Sequence, residues 1–500
     1  MKKERLRQRV LKDSFWNISS NFLGKVGALI FTIILARFLL PEGFGIYSLA
    51  ISIALIFMTF ADLGVNQTML RYVSSEIKEN KKKAAAYFNY LLRIKIILSL
   101  SLSLFLILIA YPLALFVFNK PVLFLPLFFL GIYVFLFTIT DFFILLFYIS
   151  KKVKYVLIKE TIFQLVRILA VVIIFYILIS QYYILGVVFG LIFTSFITLI
   201  FILFYFKKNF LFLIKKTKKQ INKKRVLKFL GFLTIGSVSA AFFSYIDIIM
   251  LGIFLPSKYI GYYRSSFALV FGIAGMLTFT NVFLPVLTQI PKNKLENVFN
   301  NILKYSLILI VPSSFGLAVL SKYFIILIYG KEYIPATILL FFLSFLIIPT
   351  VLVGIFMTFF TAREKLKSFA IFTVIITFLN IFLNYIFIYY FLNISDLWAT
   401  TGAAIATLIS WYFYLFGSFL ISRNILNVKL NIINFIKPLI ASIIMAGVLI
   451  YSNNFYSEIN FKVMILKVIF GAIIYILTLF LIKGISIREI KELSKIINKK

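Results

Sequence analysis

The sequence is cut into apolar runs of about 20 to 28 residues, joined by short connections that carry nearly all of its lysine and arginine. At 1.5 Å per helical residue, one such run covers a hydrocarbon core about 30 Å thick. A backbone in lipid must satisfy its hydrogen bonds internally, so each run is predicted to be a helix. Hydropathy places spans at 14–40, 44–72, 84–111, 121–149, 154–180, 182–206, 229–255, 261–289, 299–320, 335–361, 368–392, 399–422, 434–452 and 463–482. The expected fold is all-α: a polytopic membrane protein of about fourteen transmembrane helices. With 62% hydrophobic and 14% charged residues, a soluble globular chain is excluded. The basic flank MKKERLRQRVLKD precedes an apolar stretch too long for a signal sequence, with no small-residue cleavage site, and reads as the approach to an uncleaved first span.

A net charge of +36 invites a nucleic-acid partner, but that reading needs the cations on a soluble domain or a continuous arm. Here they form short clusters between spans, so no nucleic-acid partner is expected. Of the 52 Lys and Arg, 40 fall on one side of the predicted topology, seven on the other and five within spans. Because cations are retained on the cytoplasmic side, both termini are predicted to be inside the cell membrane. The clusters also attract anionic membrane lipids.

The basic connection 207–228 divides the chain nearly in half, and the halves repeat. LLPEGFGIY (39–47) recurs as FLPSKYIGYY (254–263), FYISKKVK (147–154) as FFTAREKLK (359–367), and LGVVFGLIFTSF (185–196) as TGAAIATLISWY (401–412). The expected organisation is an N-terminal six-helix bundle over 1–206, a cytoplasmic linker over 207–228 and a second six-helix bundle over 229–422. Two accessory helices and a basic tail follow over 423–500. Parallel repeats of this kind are a transporter architecture in which two halves rock about a shared site.

Polar residues inside the spans mark where such a site would lie. Asn17, Asn21, Lys25 and Thr32 fall on one face of the first helix. Lys25 stands about 18 Å beyond the basic flank, near the midplane, where facing lipid costs about 2.5–3.5 kcal/mol. Two roles fit it: a cation lining a wet cavity, or an ion-pair partner of Asp62 or Asp247. The second helix carries Ser48, Ser52, Thr59, Asp62 and Asn66 on one face, the seventh carries Ser237, Ser244 and Asp247, and the eighth carries Thr278, Asn281 and Thr288. These four stripes are expected to converge on a central cavity. In the fifth helix Glu160, Gln164 and Arg167 share a face, and Arg167 reads equally as the partner of Asp141 or as a second cavity cation. Thr373, Thr377, Asn380 and Asn384 in the eleventh helix suit interhelical hydrogen bonding. Arg37, Arg93 and Lys95 lie close enough to span ends to snorkel.

There is no cysteine and no histidine, and no carboxylate pair, nucleophile triad or glycine-rich phosphate loop stands out, so neither an enzyme nor a cofactor or metal is expected. LARFLLPEGFGIYSLA (35–50), FADLGVNQTMLRYVSSE (60–76), DIIMLGIFLPSKYIGYYRSS (247–266), YGKEYIPATILL (329–340) and NISDLWATTGAAIATLIS (393–410), taken in order, resemble the polysaccharide-transport branch of the multidrug/oligosaccharidyl-lipid/polysaccharide flippase superfamily. The resemblance covers about the first 425 residues. It implies a flippase that moves a polyprenyl-(pyro)phosphate-linked oligosaccharide across the cytoplasmic membrane for surface polysaccharide biosynthesis, by alternating access. Lys25 and Arg167 would then attract the phosphate, and Asn17, Asn21, Ser48, Ser52, Ser244 and Asn281 would hold sugar. Asp62, Asp247 and Asp141 would serve as ion pairs or bind a coupling H⁺ or Na⁺. The alternatives are a cation antiporter of the multidrug-extrusion branch, a lipid II flippase, and a membrane glycosyltransferase or polymerase.

Overall fold

The computed structural model describes residues 2–215, 217, 219–278, 292–362, 366–426, 433–452 and 459–485, and every regular element in them is helical. The long helices are α1 (Lys2–Asp62), α2 (Val65–Glu76), α3 (Lys81–Pro112), α4 (Phe124–Ile149), α5 (Lys154–Ile177), α6 (Tyr183–Phe210), α7 (Lys223–Phe254) and α8 (Ser257–Leu277). There follow α9 (Lys292–Val319), α10 (Ser321–Ile328), α11 (Ala336–Ser344), α12 (Ile347–Ala362), α13 (Leu366–Leu392), α14 (Asp396–Leu426), α15 (Ile433–Ser452) and α16 (Phe461–Leu481).

Among the described residues twelve helices are long and apolar enough to cross a bilayer, and α11 with α12, bent by 40°, makes a thirteenth crossing. One of the twelve, Phe15–Glu76, is 62 residues long. At 1.5 Å per residue that is about 93 Å, three times the hydrocarbon thickness. It breaks at Leu40, whose φ of 57° lies in the left-handed region, just before Pro41, which has no amide hydrogen to donate. The stretch therefore has the length and the break for two crossings, which makes fourteen candidate crossings among the described residues.

Two compact units result, Met1–Arg264 with Thr373–Ala403, and Ser265–Phe372 with Ala404–Lys500. In the first, aromatic side chains of α3, α4 and α6 interlock: Phe88 lies 5.6 Å from Phe142, and Phe143 meets Phe206 edge-on at 4.9 Å. In the second, Ala441, Met445 and Leu449 of α15 and Tyr475 and Leu479 of α16 pack with Ile308 and Phe315 of α9. The last two crossings are thus built into that unit's core. Large apolar side chains such as Leu108, Phe116 and Tyr176 are exposed on the outside of the helices, as lipid contact requires.

Candidate functional site

The first unit holds a polar seam between α1 and α5. Gln164 Nε2 donates to the Gly24 carbonyl at 3.3 Å, a Cβ at Gly27 would lie 2.6 Å from Gln164 Oε1, Arg167 sits 4.3 Å over the Phe31 ring, and Phe38 stacks on Phe175 at 4.6 Å. The residue numbers in the last three pairs differ by 136 or 137, so the two helices run side by side in the same direction. Gly24 and Gly27 make this possible, because a side chain at Gly27 would occupy the space of the Gln164 amide. The spacing Gly24-x-x-Gly27 in α1 was the sequence signal for this contact, with Gly27 about 200° around the helix from the exposed Lys25.

Within the seam Glu160 is engaged twice, by Lys159 Nζ at 3.2 Å and by Gln164 Nε2 at 2.6 Å. Gln164 in turn accepts a hydrogen bond from the Arg167 guanidinium. That guanidinium lies 4.3 Å from the Phe31 ring and 5.2 Å from the Phe163 ring, within electrostatic range of Tyr47 and Tyr133, and among the described residues its buried Nε has no hydrogen-bond partner. A buried charged donor without an acceptor is costly unless something supplies one. Lys25 of α1 is exposed, and Asn21 donates to Asn17 at 3.4 Å one turn earlier.

Arg167 does not pair with Asp141. α5 turns its polar face toward α1 rather than α4, and Asp141 instead accepts a 2.6 Å hydrogen bond from Asn66. Nor does Asp62 pair with Lys25. Its Oδ1 accepts from Lys95 Nζ at 2.8 Å and also from the Asn66 amide at 3.2 Å, just past the left-handed Gly64. Lys95 is 1% exposed, which overturns the snorkelling expectation. Arg93, two residues away and about 200° around the helix, is exposed. Lys95 lies twelve residues beyond Lys83, as deep as Lys25 lies beyond its own flank, and that depth was the signal.

Asp247 of α7 is buried and fully engaged at both oxygens, by Tyr263 Oη and by Asn384 Nδ2, each at 2.8 Å. Thr377 donates to the Ser239 carbonyl at 3.1 Å, so the polar residues of α13 do form interhelical hydrogen bonds. Ser48 and Ser52 are buried in helix packing, with the Ser52 hydroxyl returned to the Ser48 carbonyl at 2.7 Å. Ser244 is exposed and bonds the Ala240 carbonyl of its own helix at 2.8 Å. Asn281 lies outside the described residues, as does Thr288. The structure therefore brings Arg167 together with Gln164 and the Phe31 ring, and Asp62 with Lys95, and seats Ser48 and Ser52 away from open space. A separate apolar cavity of about 540 Å³ lies in the second unit between α9, α15 and α16, with Leu309, Pro312, Met445 and Tyr475 in its wall.

A model of the polysaccharide biosynthesis protein family matches residues 10–291, more than half of the chain. The chain belongs to that family. Among curated relatives, a probable low-salt glycan biosynthesis flippase, Agl15, of Haloferax volcanii is 24% identical over 286 residues. That match takes in 55% of this chain and 58% of the relative, so the chain spans less than two thirds of the relative's length. Among solved structures, the lipid II flippase MurJ in an inward closed conformation superposes with a TM-score of 0.68 at 16% identity, covering 94% of this chain and 98% of that one. An inward-facing multidrug resistance transporter of the MATE family, in the MOP superfamily, gives 0.61 at 12% identity, covering 82% and 94%. At these identities the likeness is one of fold.

Proposed function

We propose that this protein is a flippase that carries a polyprenyl-(pyro)phosphate-linked oligosaccharide across the cytoplasmic membrane during surface polysaccharide assembly. The observation that carries the reading is the Arg167 guanidinium: half-buried in the first unit, packed against two rings, with a buried Nε that lacks an acceptor among the described residues. A phosphate oxygen is the acceptor such a group suits best, and in a low-dielectric site their attraction is far stronger than in water. Lys25, exposed on α1 of the same unit, adds a second positive charge, and Asn17 and Asn21 offer amides to sugar hydroxyls. The family membership and the glycan-flippase relative support the same direction.

The cell-membrane protein would keep both termini in the cytoplasm and work by alternating access of the repeated halves 1–206 and 229–422, joined by the linker 207–228. A coupling proton or sodium ion, small enough to enter where an organic cation is not, would act at the buried Asp247 or at the cluster of Asp62, Lys95, Asn66 and the exposed Asp141. The organic-cation antiporter reading is weaker, because a cationic substrate needs an available carboxylate. Here Asp247 is bonded at both oxygens and Asp62 is paired with Lys95.

Proteoliposomes test the proposal. Purified protein should move lipid-linked oligosaccharide between leaflets, with Arg167→Ala and Lys25→Ala each slowing it at least tenfold while inserting normally. Efflux of cationic dyes with no movement of the lipid-linked sugar would overturn it.

A further inference from the structure

The linker between the repeated halves is folded onto the first of them. A turn of 3-10 helix, Leu211–Leu213, packs against the start of α3, with Leu213 buried. Asn89 of α3 donates to the Leu213 carbonyl at 2.9 Å and reaches the Lys215 carbonyl at 3.5 Å. Asn222 then caps α7 by accepting from the Arg225 amide at 2.9 Å. These contacts hold the start of the linker against α3, and beside them lie two adjoining clefts of about 640 and 570 Å³, which share Thr217 and Lys219.

Six cations line the pair: Lys81, Lys82, Arg93, Lys215, Lys219 and Lys223. All six are exposed, no acidic side chain lines either cleft, and none of the six makes an ion pair among the described residues. The α3 N-terminus, whose cap is Asn80, adds the positive end of its dipole. Between the charges stand Phe212, Ile214 and Ile221, and one turn further along α3 the buried Ala84 and Phe88 begin the apolar span. A solvated basic surface needs neither concave walls nor apolar residues set among its lysines. An amphiphile held where headgroups meet hydrocarbon needs both.

We propose that these clefts form a binding site for the diphosphate-bearing headgroup of an anionic membrane lipid, distinct from the Arg167 seam and independent of the transport reading. Each cleft takes one phosphate, and Lys219, common to both, sits between them. The bound headgroup ties the linker ahead of α7 to α3.

The full-length protein in phosphatidylcholine nanodiscs, titrated with cardiolipin as a bis-phosphate probe and followed by native mass spectrometry of lipid adducts, tests this. A lysine close to an anionic lipid headgroup contributes about fivefold to binding, and the effect falls off within a Debye length, so lysines that line neither cleft contribute little. The combined Lys81→Gln, Lys82→Gln, Lys215→Gln and Lys219→Gln variant should therefore lose affinity by several hundredfold. A charge-matched control with Lys151, Lys154, Lys207 and Lys208 changed to Gln should lose less than tenfold. Equal losses in the two variants would reduce the site to general attraction and overturn the proposal. Displacement of cardiolipin by soluble pyrophosphate at the lipid's own concentration would overturn the lipid assignment and leave a site for free phosphate.

Discussion

The proline turns of the two repeats meet face to face, and this contact makes a sharp prediction. A Cβ placed on Gly45 would stand 1.8 Å from the Ser257 carbonyl oxygen, and one on Gly261 would stand 2.0 Å from the Pro41 carbonyl oxygen. Real Cβ atoms essentially never come within 3.0 Å of another heavy atom, so Gly45→Ala must push the two turns apart by about 1.2 Å and Gly261→Ala by about 1.0 Å. Both obstacles are backbone, which cannot swing aside as a side chain would. The cost should then lie toward the top of the roughly 1–3 kcal/mol typical of overpacking. Between 2 and 3 kcal/mol corresponds to about 30- to 150-fold more frequent opening. Amide hydrogen exchange read by mass spectrometry should show that acceleration in peptides covering 39–47 and 254–263 for either variant, with peptides of α4 and α6 unchanged. Gly231→Ala is the control: nothing lies within 4 Å of its Cβ, and a helical Gly-to-Ala change should hold or raise stability by up to about 1 kcal/mol. Unaltered protection at both turns in both variants would refute the close approach and the reasoning drawn from it.

Removing one member of the Lys95–Asp62 pair leaves the other without its counter-charge. Lys95→Ala is expected to cost about 3 kcal/mol, the low end for a buried pair because Asp62 keeps 25% of its side chain exposed, and adding Asp62→Asn should restore part of the loss in thermal melts. Gly27→Val should displace Gln164 and with it the hydrogen bond that orients Arg167. It is expected to lower transport of lipid-linked sugar in proteoliposomes at least fivefold, whereas Gly447→Ala, with nothing within 4 Å of its Cβ, should leave transport within twofold of the parent.

Hydropathy alone determined the fourteen candidate crossings, because the cost of exposing a backbone to hydrocarbon is paid within each segment and needs no knowledge of its neighbours. The break at Pro41 was legible for the same reason, since a proline acts on its own stretch of chain. Helical periodicity also grouped Glu160 with Gln164 and Arg167 on one face, and gave Thr377 and Asn384 to interhelical bonding. Which face meets which helix was beyond it. Lys95 and Arg93 look alike in sequence, yet one is buried on Asp62 and the other is exposed, since 200° of helical rotation separates them. Arg167 could be matched with Asp141 on paper, but α5 packs along α1, where Gly24 and Gly27 leave room for Gln164. Asp247 drew its partners from residues 16 and 137 positions away. Pairing of buried charges depends on distances of a few ångströms between segments far apart in the chain, and those distances are set only when the helices have packed.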